Sequence, residues 1–333
     1  MTSFDCGGVQ APKDVSIFSA VTSLLLCIII SIGNFLIIWV IYKDPLKKLR
    51  TPFTYFIVNL ATADLIVGTI TCPIYAYTLI LESLGGLSDT MAQTMHMTFF
   101  ISSTASILSL IALSLDRYIA IEFPFRYKLY FTGNRCRLIT IVIWVLAISL
   151  SWIYMKVGYI SHLMVFANSS IVIAFFIFIG TYFRAYRFLR QETQRYRQRA
   201  ITIMSTTQEH LNRLNNERRV TRVFLTVLIV FLCTYCPATI MIYLLQSFPS
   251  WDCTTRHWIR DLVIFFITIN SSVNPFVYTI RLKTFQTSLR LVLSRSESIN
   301  RQDRHSSVSS STVMTHDLHS IKRDSGSTLP HHL

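Results

Sequence analysis

The stretch MTFFISSTASILSLIALSLDRYIAIEFPFR, residues 97–126, decides how the rest of the chain is read. Its first nineteen residues carry no charge before Asp116, Arg117 and Tyr118 arrive together. At about 1.5 Å per residue, an uncharged run of that length approaches what a helix needs to cross the hydrocarbon core of a bilayer. The charged triplet then sits at one membrane face. Pro124, Arg126 and Lys128 follow, and because Lys and Arg accumulate in cytoplasmic loops this end is expected on the cytoplasmic side.

Composition agrees with a membrane protein. Of the 333 residues 52% are hydrophobic, 14% charged and 13% aromatic, a balance foreign to soluble chains of this size. The net charge of +14 would suit a nucleic-acid partner if it formed one patch. Instead, 27 of the 31 Lys and Arg fall in alternate connections and the tail, leaving Lys13, Lys156, Arg256 and Arg260 on the other side. Such alternation reads as orientation and as attraction to anionic inner-leaflet lipid, with no nucleic acid. Cys27, Cys72, Cys233 and Cys236 lie inside apolar runs, where they are expected to pack as small hydrophobes, and Cys136 abuts the cytoplasmic end of one. Only Cys6 and Cys253 fall on the outer side.

The remaining runs complete the pattern. Residues 1–14 form a short extracellular tail. A first uncharged run, 15–42, ends in Lys43, Lys47, Lys48 and Arg50, which places the amino terminus outside; it is too long for a cleaved signal peptide. The second span, 52–80, is uncharged but for Asp64 and carries a kink at Cys72-Pro73. The fourth covers 138–155. Its connection to the fifth, an uncharged run from 157 to 183, is only a few residues long near 156–161. Residues 184–222 are polar and carry ten arginines, 212–222 reading as an extension of helix six. The sixth span covers 223–251 and the seventh 262–280. Leu282, Phe285, Leu289 and Val292 then recur at helical spacing among basic residues, a helix lying on the inner membrane surface that closes a bundle of residues 15–293. Residues 294–333, rich in Ser, Arg and His, are expected to be disordered.

Seven spans with these motifs resemble the rhodopsin-like (class A) G-protein-coupled receptors, nearest the adenosine and melanocortin branch. The resemblance covers about 18–293 and is carried by Asn34, Asn59 with Asp64, Asp116-Arg117-Tyr118, Trp144, Pro237 and Asn274-Pro275-Phe276-Val277-Tyr278, in order and in different spans. It implies an all-α seven-transmembrane bundle in the plasma membrane and no enzyme. It also implies an extracellular ligand, a heterotrimeric G-protein partner, and receptor kinase and arrestin acting on the tail at Ser306, Ser307, Ser309, Ser310, Ser311 and Thr312. No cofactor is implied beyond an allosteric sodium ion, held by Asp64, Ser106, Asn270, Ser271 and Asn274. A mid-membrane carboxylate costs at least a few kcal/mol and is seldom kept without a role, although a protonated Asp64 held by neighbouring Asn residues is the plain alternative.

The switch implied by the resemblance is Arg117, paired at rest with Asp116 and Glu217 and released when helix six swings about Pro237, with Tyr182 and Tyr278 turning inward. Snorkelling of an interfacial Arg is the bland reading of the same residue. Tyr235 stands where the family usually has Trp, as the toggle above Phe231; a packed aromatic is its alternative. The ligand pocket falls to Phe99, Phe100, Ser103, Tyr235, Thr239, Ile242, Ile264 and Thr268, apolar with a few hydroxyls, a lining that a buried core would also show. Phe99 stands where amine receptors carry Asp, Ile242 where adenosine receptors use Asn, and Thr268 where opsins need Lys. The family's helix-three cysteine is Ala92 here. The melanocortin pattern implies instead a Cys6–Cys253 disulfide, while two free thiols remain the alternative. A light-sensing or ligand-independent seven-helix receptor is the runner-up function. A transporter is remote, since repeated halves and broken midplane helices are not found in the sequence.

Overall fold

The computed structural model describes residues 12–47, 49, 51–86, 89–199, 207–248, 250–282 and 284–294, and within its helices the side chains of Tyr182 and Glu217, among others, fall outside the description. The elements are α1 (Lys13–Lys43), α2 (Pro52–Ile66), a π-helical turn (Val67–Thr71), α3 (Cys72–Ser83), α4 (Asp89–Glu122), α5 (Pro124–Tyr130), α6 (Gly133–Ser151), α7 (Tyr154–Val157), α8 (Tyr159–Arg199), α9 (Thr207–Ser247), α10 (Cys253–Arg281) and α11 (residues 284–294). Among the described residues, six spans are long and apolar enough to cross a membrane, and α8 adds the shorter apolar run Ser161–Ile177. The chain is an all-α membrane protein built as a seven-helix bundle. Helix α1 packs on α2, α3 and α10; α4 packs on α2, α6 and α8; and α9 packs on α8 and α10, so the bundle closes on itself.

Each span is apolar on both faces, and small or polar residues select the inward one. In α1 the buried positions Ser16, Ser19, Ala20, Ser23, Leu26, Ile30, Asn34 and Ile37 recur at three and four residues, while Ile17, Val21, Leu25, Ile28 and Ile32 face out. Small side chains let membrane helices approach where lipid offers no hydrophobic drive. Gly33 shows how close that approach is, because a Cβ there would stand 2.8 Å from Cγ of Pro275 in α10. Helix α6 buries only Cys136, Ile143, Ala147 and Ser151, one stripe of an otherwise lipid-facing rod.

The kink expected at Pro73 takes the form of the π-turn one turn earlier. A proline ring collides with the carbonyl four residues back, here Thr69, and the widened turn makes room for it. The short link between spans four and five is a single residue, Gly158, with φ +83° and ψ 167° between α7 and α8. Only glycine enters that region without strain. Helix α9 runs unbroken from Thr207 through Pro237, extending the sixth span as the polar run 212–222 predicts. The seventh helix starts earlier than its apolar run, at Cys253, with Asp252 accepting from the Thr255 amide at 3.0 Å as N-cap. That amide and then the Thr255 hydroxyl hold the exposed Asp252 carboxyl below its ordinary range. In α11, Phe285 and Val292 are buried and Leu291 and Leu293 exposed, the two-sided arrangement of a surface helix.

One cysteine corrects the sequence reading. Cys233 does not pack inside but is exposed on α9, where an apolar thiol facing lipid needs no partner. Cys72 and Cys136 are buried, and Cys27 and Cys236 partly so. Cys253 is in a disulfide; Cys6, its expected partner, lies outside the described residues.

Candidate functional site

Polar side chains thread the middle of the bundle and tie its spans together. Asn34 of α1 donates to the carbonyls of Ile30 (3.0 Å) and Ser271 (3.2 Å), joining the first span to the last. Asn59 donates to Ser109 Oγ at 2.8 Å and accepts from Trp144 Nε1 at 2.8 Å, so one amide holds spans two, three and four. Asn59 is thus paired across helices through both ends of its amide, as a low-dielectric interior favours, whereas Asn34 pairs through its Nδ2 and keeps a buried Oδ1 without a hydrogen-bond partner.

Asp64 is fully buried. Asn274 Nδ2 donates to its Oδ2 at 2.7 Å, Ser106 Oγ reaches Oδ1 at 3.4 Å, and Ser271 lies beside it. Of the residues expected to hold sodium, Ser106, Ser271 and Asn274 meet the Asp64 carboxylate, and Asn270 shares a small cavity with Ser106 and Ser271. Oδ1 of Asn270, Oδ1 of Asn274 and the Tyr278 hydroxyl are buried with no hydrogen-bond partner. Hard monovalent cations take oxygen donors, and this carboxylate with hydroxyls and orphaned amide oxygens is such a set.

At the end of the bundle near the Asp116-Arg117-Tyr118 triplet, Asp116 and Arg117 are both buried. Arg117 Nε donates to Asp116 Oδ2 at 2.8 Å, an Nη of the same guanidinium makes a second contact to that oxygen, and Tyr127 Oη donates to Oδ1 at 2.7 Å. The guanidinium also lies 4.5 Å from the centre of the Phe53 ring. Arg117 therefore does not snorkel; it is folded back and neutralised. Tyr118 is half-buried with Arg184 stacked 4.2 Å over its ring. Pro275 packs against Gly33, and Tyr278 is buried. The expected roles of Glu217 and Tyr182 fall on side chains outside the description, as do the tail positions 306–312.

The eight expected pocket residues, Phe99, Phe100, Ser103, Tyr235, Thr239, Ile242, Ile264 and Thr268, are all buried. Phe99, Ser103, Tyr235 and Thr268 share with Ser106, Asn270 and Ser271 a cavity of about 10 Å³, which is room for about one water. Tyr235 stacks on Phe231 with centroids 4.1 Å apart and planes 15° from parallel. A cavity of about 310 Å³ lies to one side, between α1, α3 and α10, and shares only Ile264 and Thr268 with the expected lining.

One cluster escaped the sequence reading. At the opposite end from Arg117, Arg260 clasps Glu82 with both Nη atoms at 2.8 and 2.9 Å and donates from Nε to Asp261 Oδ1 at 2.8 Å. Tyr75 Oη donates to the same Oδ1 at 2.8 Å, and His257 Nδ1 stands 3.6 Å from Glu82. A signal was available: His257, Arg260 and Asp261 are spaced three and four apart, which puts them on one face if the seventh helix begins before 257.

A ring of seven membrane-spanning helices around a polar thread, with a sealed arginine at one end, defines a helical membrane receptor bundle. The chain belongs to the 7 transmembrane receptor (rhodopsin family), whose profile matches residues 33–162 and 154–278. It is 25% identical to human (Homo sapiens) adenosine receptor A2a over 321 residues, covering 84% of this chain and 73% of that receptor. It is 27% identical to mouse (Mus musculus) adenosine receptor A2b over 284 residues, with 75% and 82% covered. To rat (Rattus norvegicus) lysophosphatidic acid receptor 3 it is 23% identical over 319 residues, with 88% and 86% covered. The family and these relatives are receptors, not enzymes, and the chain is a multi-pass G-protein-coupled receptor.

Proposed function

We propose that this receptor sits in the plasma membrane with its amino terminus outside, takes an extracellular ligand at the end opposite Arg117, and activates a heterotrimeric G protein by outward movement of α9. The observation that carries the proposal is the buried Arg117–Asp116 pair, because a neutralised guanidinium at a helix end is a latched group with somewhere to go. Pro237 leaves α9 without one backbone hydrogen bond, which lowers the cost of bending there. An agonist that binds the open form better shifts the equilibrium by its differential affinity, and the bound G protein tightens the agonist in return. Tyr235, in the expected pocket, and Phe231, on which it stacks, are the rotamer pair that would couple ligand to α9. Arg117 and Tyr118, with Tyr182 and Tyr278 turning inward, would face the G protein.

Asp64, Ser106, Asn270, Ser271 and Asn274 would hold a sodium ion in the closed form, which would supply a positive charge that compensates the buried carboxylate. Phosphorylated Ser306, Ser307, Ser309, Ser310, Ser311 and Thr312 would give arrestin an anionic patch. The relatives' names point to adenosine and to lysophosphatidic acid as ligand classes to try first. Nucleotide exchange on a panel of purified G proteins tests the proposal. A Glu217→Ala variant is expected to exchange faster without ligand, and absence of exchange with every G protein would reject the reading.

A further inference from the structure

We propose that the 310 Å³ cavity on the flank of the bundle binds a membrane-dissolved amphiphile whose polar end is a hydrogen-bond donor, an alcohol or an ammonium, and that it excludes carboxylates and phosphates. The volume is that of a small ligand site. Phe18 and Leu26 from α1 and Trp258, Leu262 and Phe265 from α10 make most of its wall. No Lys or Arg lines it.

Asp261 supplies the polar end. It lines the cavity and is 6% exposed. Its Oδ1 already accepts from Tyr75 Oη and from Arg260 Nε, both at 2.8 Å, whereas Oδ2 is buried with no hydrogen-bond partner. A buried acceptor left unmade is costly, and more so on a carboxylate, so a donor arriving through the cavity recovers what folding left unsatisfied. The neighbouring cation is already committed, because both Nη atoms of Arg260 are held by Glu82. Asp261 and Glu82 share the Arg260 guanidinium beside the cavity, with the His257 imidazole on the Glu82 side and Arg256 as a second cation beside that imidazole. An arriving anion meets the Asp261 carboxylate on the cavity wall, whereas an ammonium or hydroxyl meets its waiting oxygen.

Access is from the lipid. Phe18 is 59% exposed and Trp258 37% exposed, and their rings lean together at 5.6 Å to form a rim between α1 and α10 beside the exposed Ile17 and Val21. A molecule already partitioned into the bilayer reaches the rim without passing the central cavity. Its apolar end would lie against Thr268, the residue that lines both cavities, so occupancy is sensed one helix face away from Tyr235.

The full-length receptor in phosphatidylcholine nanodiscs would be photolabelled with decanol, decylamine and decanoic acid, each bearing a diazirine at the chain end. The expected result is labelling of peptides from 13–43 and 253–281 by the alcohol and amine at least tenfold above the acid, competed by excess plain decanol. Thr22→Phe, which fills the cavity from α1 and leaves the charged cluster intact, should reduce it at least tenfold. Asp261→Asn should remove the discrimination against the acid. Equal labelling by all three probes, labelling that plain decanol does not compete, or labelling unchanged in Thr22→Phe would overturn the proposal. None of these readings needs a G protein, so their failure is separate from failure of nucleotide exchange.

Discussion

Arg117 and Asp116 are chain neighbours, yet the arginine turns back on its own helix so that its Nε donates to the Asp116 carboxylate at 2.8 Å, away from solvent. A charge-assisted hydrogen bond of this kind is worth about 1.5–3 kcal/mol. Asp116→Asn should therefore weaken the closed form, and a loss of about 1.4 kcal/mol raises the open population about tenfold. Ligand-free nucleotide exchange is the measurement. Tyr127→Phe, which removes only a neutral donor to the same carboxylate, should give a smaller rise. An unchanged rate in Asp116→Asn at equal surface expression would contradict the latch.

Sodium is tested without knowing the ligand. If the ion binds the Asp64 site in the folded form alone, a sodium concentration ten times its Kd stabilises the receptor by about 1.4 kcal/mol. Thermal unfolding in sodium chloride should then occur at higher temperature than in choline chloride, and Asp64→Asn should abolish the difference. The same shift in both proteins would reject the site.

Asn59 should matter more to stability than its size suggests. Asn59→Ala removes two interhelical hydrogen bonds and strands Trp144 Nε1, for an expected loss of about 1–3 kcal/mol. Trp144→Phe removes one of the two and should cost less. A thiol-reactive unfolding assay in detergent micelles, reading the buried Cys72 and Cys136, would rank the two variants.

The buried cluster at the other end predicts a severe effect from one residue. Arg260→Met leaves Glu82 and Asp261 buried without their shared cation, and breaking a buried pair from one side costs about 3–5 kcal/mol. Arg260→Lys should restore little, because a single ammonium cannot reproduce the two-pronged grip on Glu82. Surface expression and thermal half-life of both variants provide the check, and wild-type stability in Arg260→Lys would show that geometry is unimportant there.

Two glycines should respond in opposite directions. Gly158→Ala meets no atom within 4 Å, so any loss comes from the backbone at φ +83° and should be about 1–3 kcal/mol. Gly180→Ala also has open space but lies inside α8, where alanine should stabilise by about 0.5–1 kcal/mol. Melting temperatures of the two variants decide it.

Hydropathy made the spans legible because lipid demands long apolar runs, and the lone polar residues within them, Asn34, Asn59, Asp64 and Asn274, stood out as groups that needed partners. Their partners were legible only in part. Trp144 and Ser109 meet Asn59 through a helix rotation that no single run encodes. Glu82 and Arg260 were readable as loop charges, since 178 residues separate them and the seventh helix had no apolar signal before Leu262. The flank cavity had no signature at all, because Phe18 and Trp258 look like lipid-facing aromatics until α1 and α10 are placed side by side.

The single glycine that joins α7 to α8 has a consequence for how molecules arrive. A turn of one residue contributes no roof over the bundle, neither a hairpin nor a strap, so at that corner the mouth is bounded by bare helix tips. Residence time there would be governed by how the tips of α7 and α8 part, and lengthening the linker by grafted residues would slow both arrival and departure.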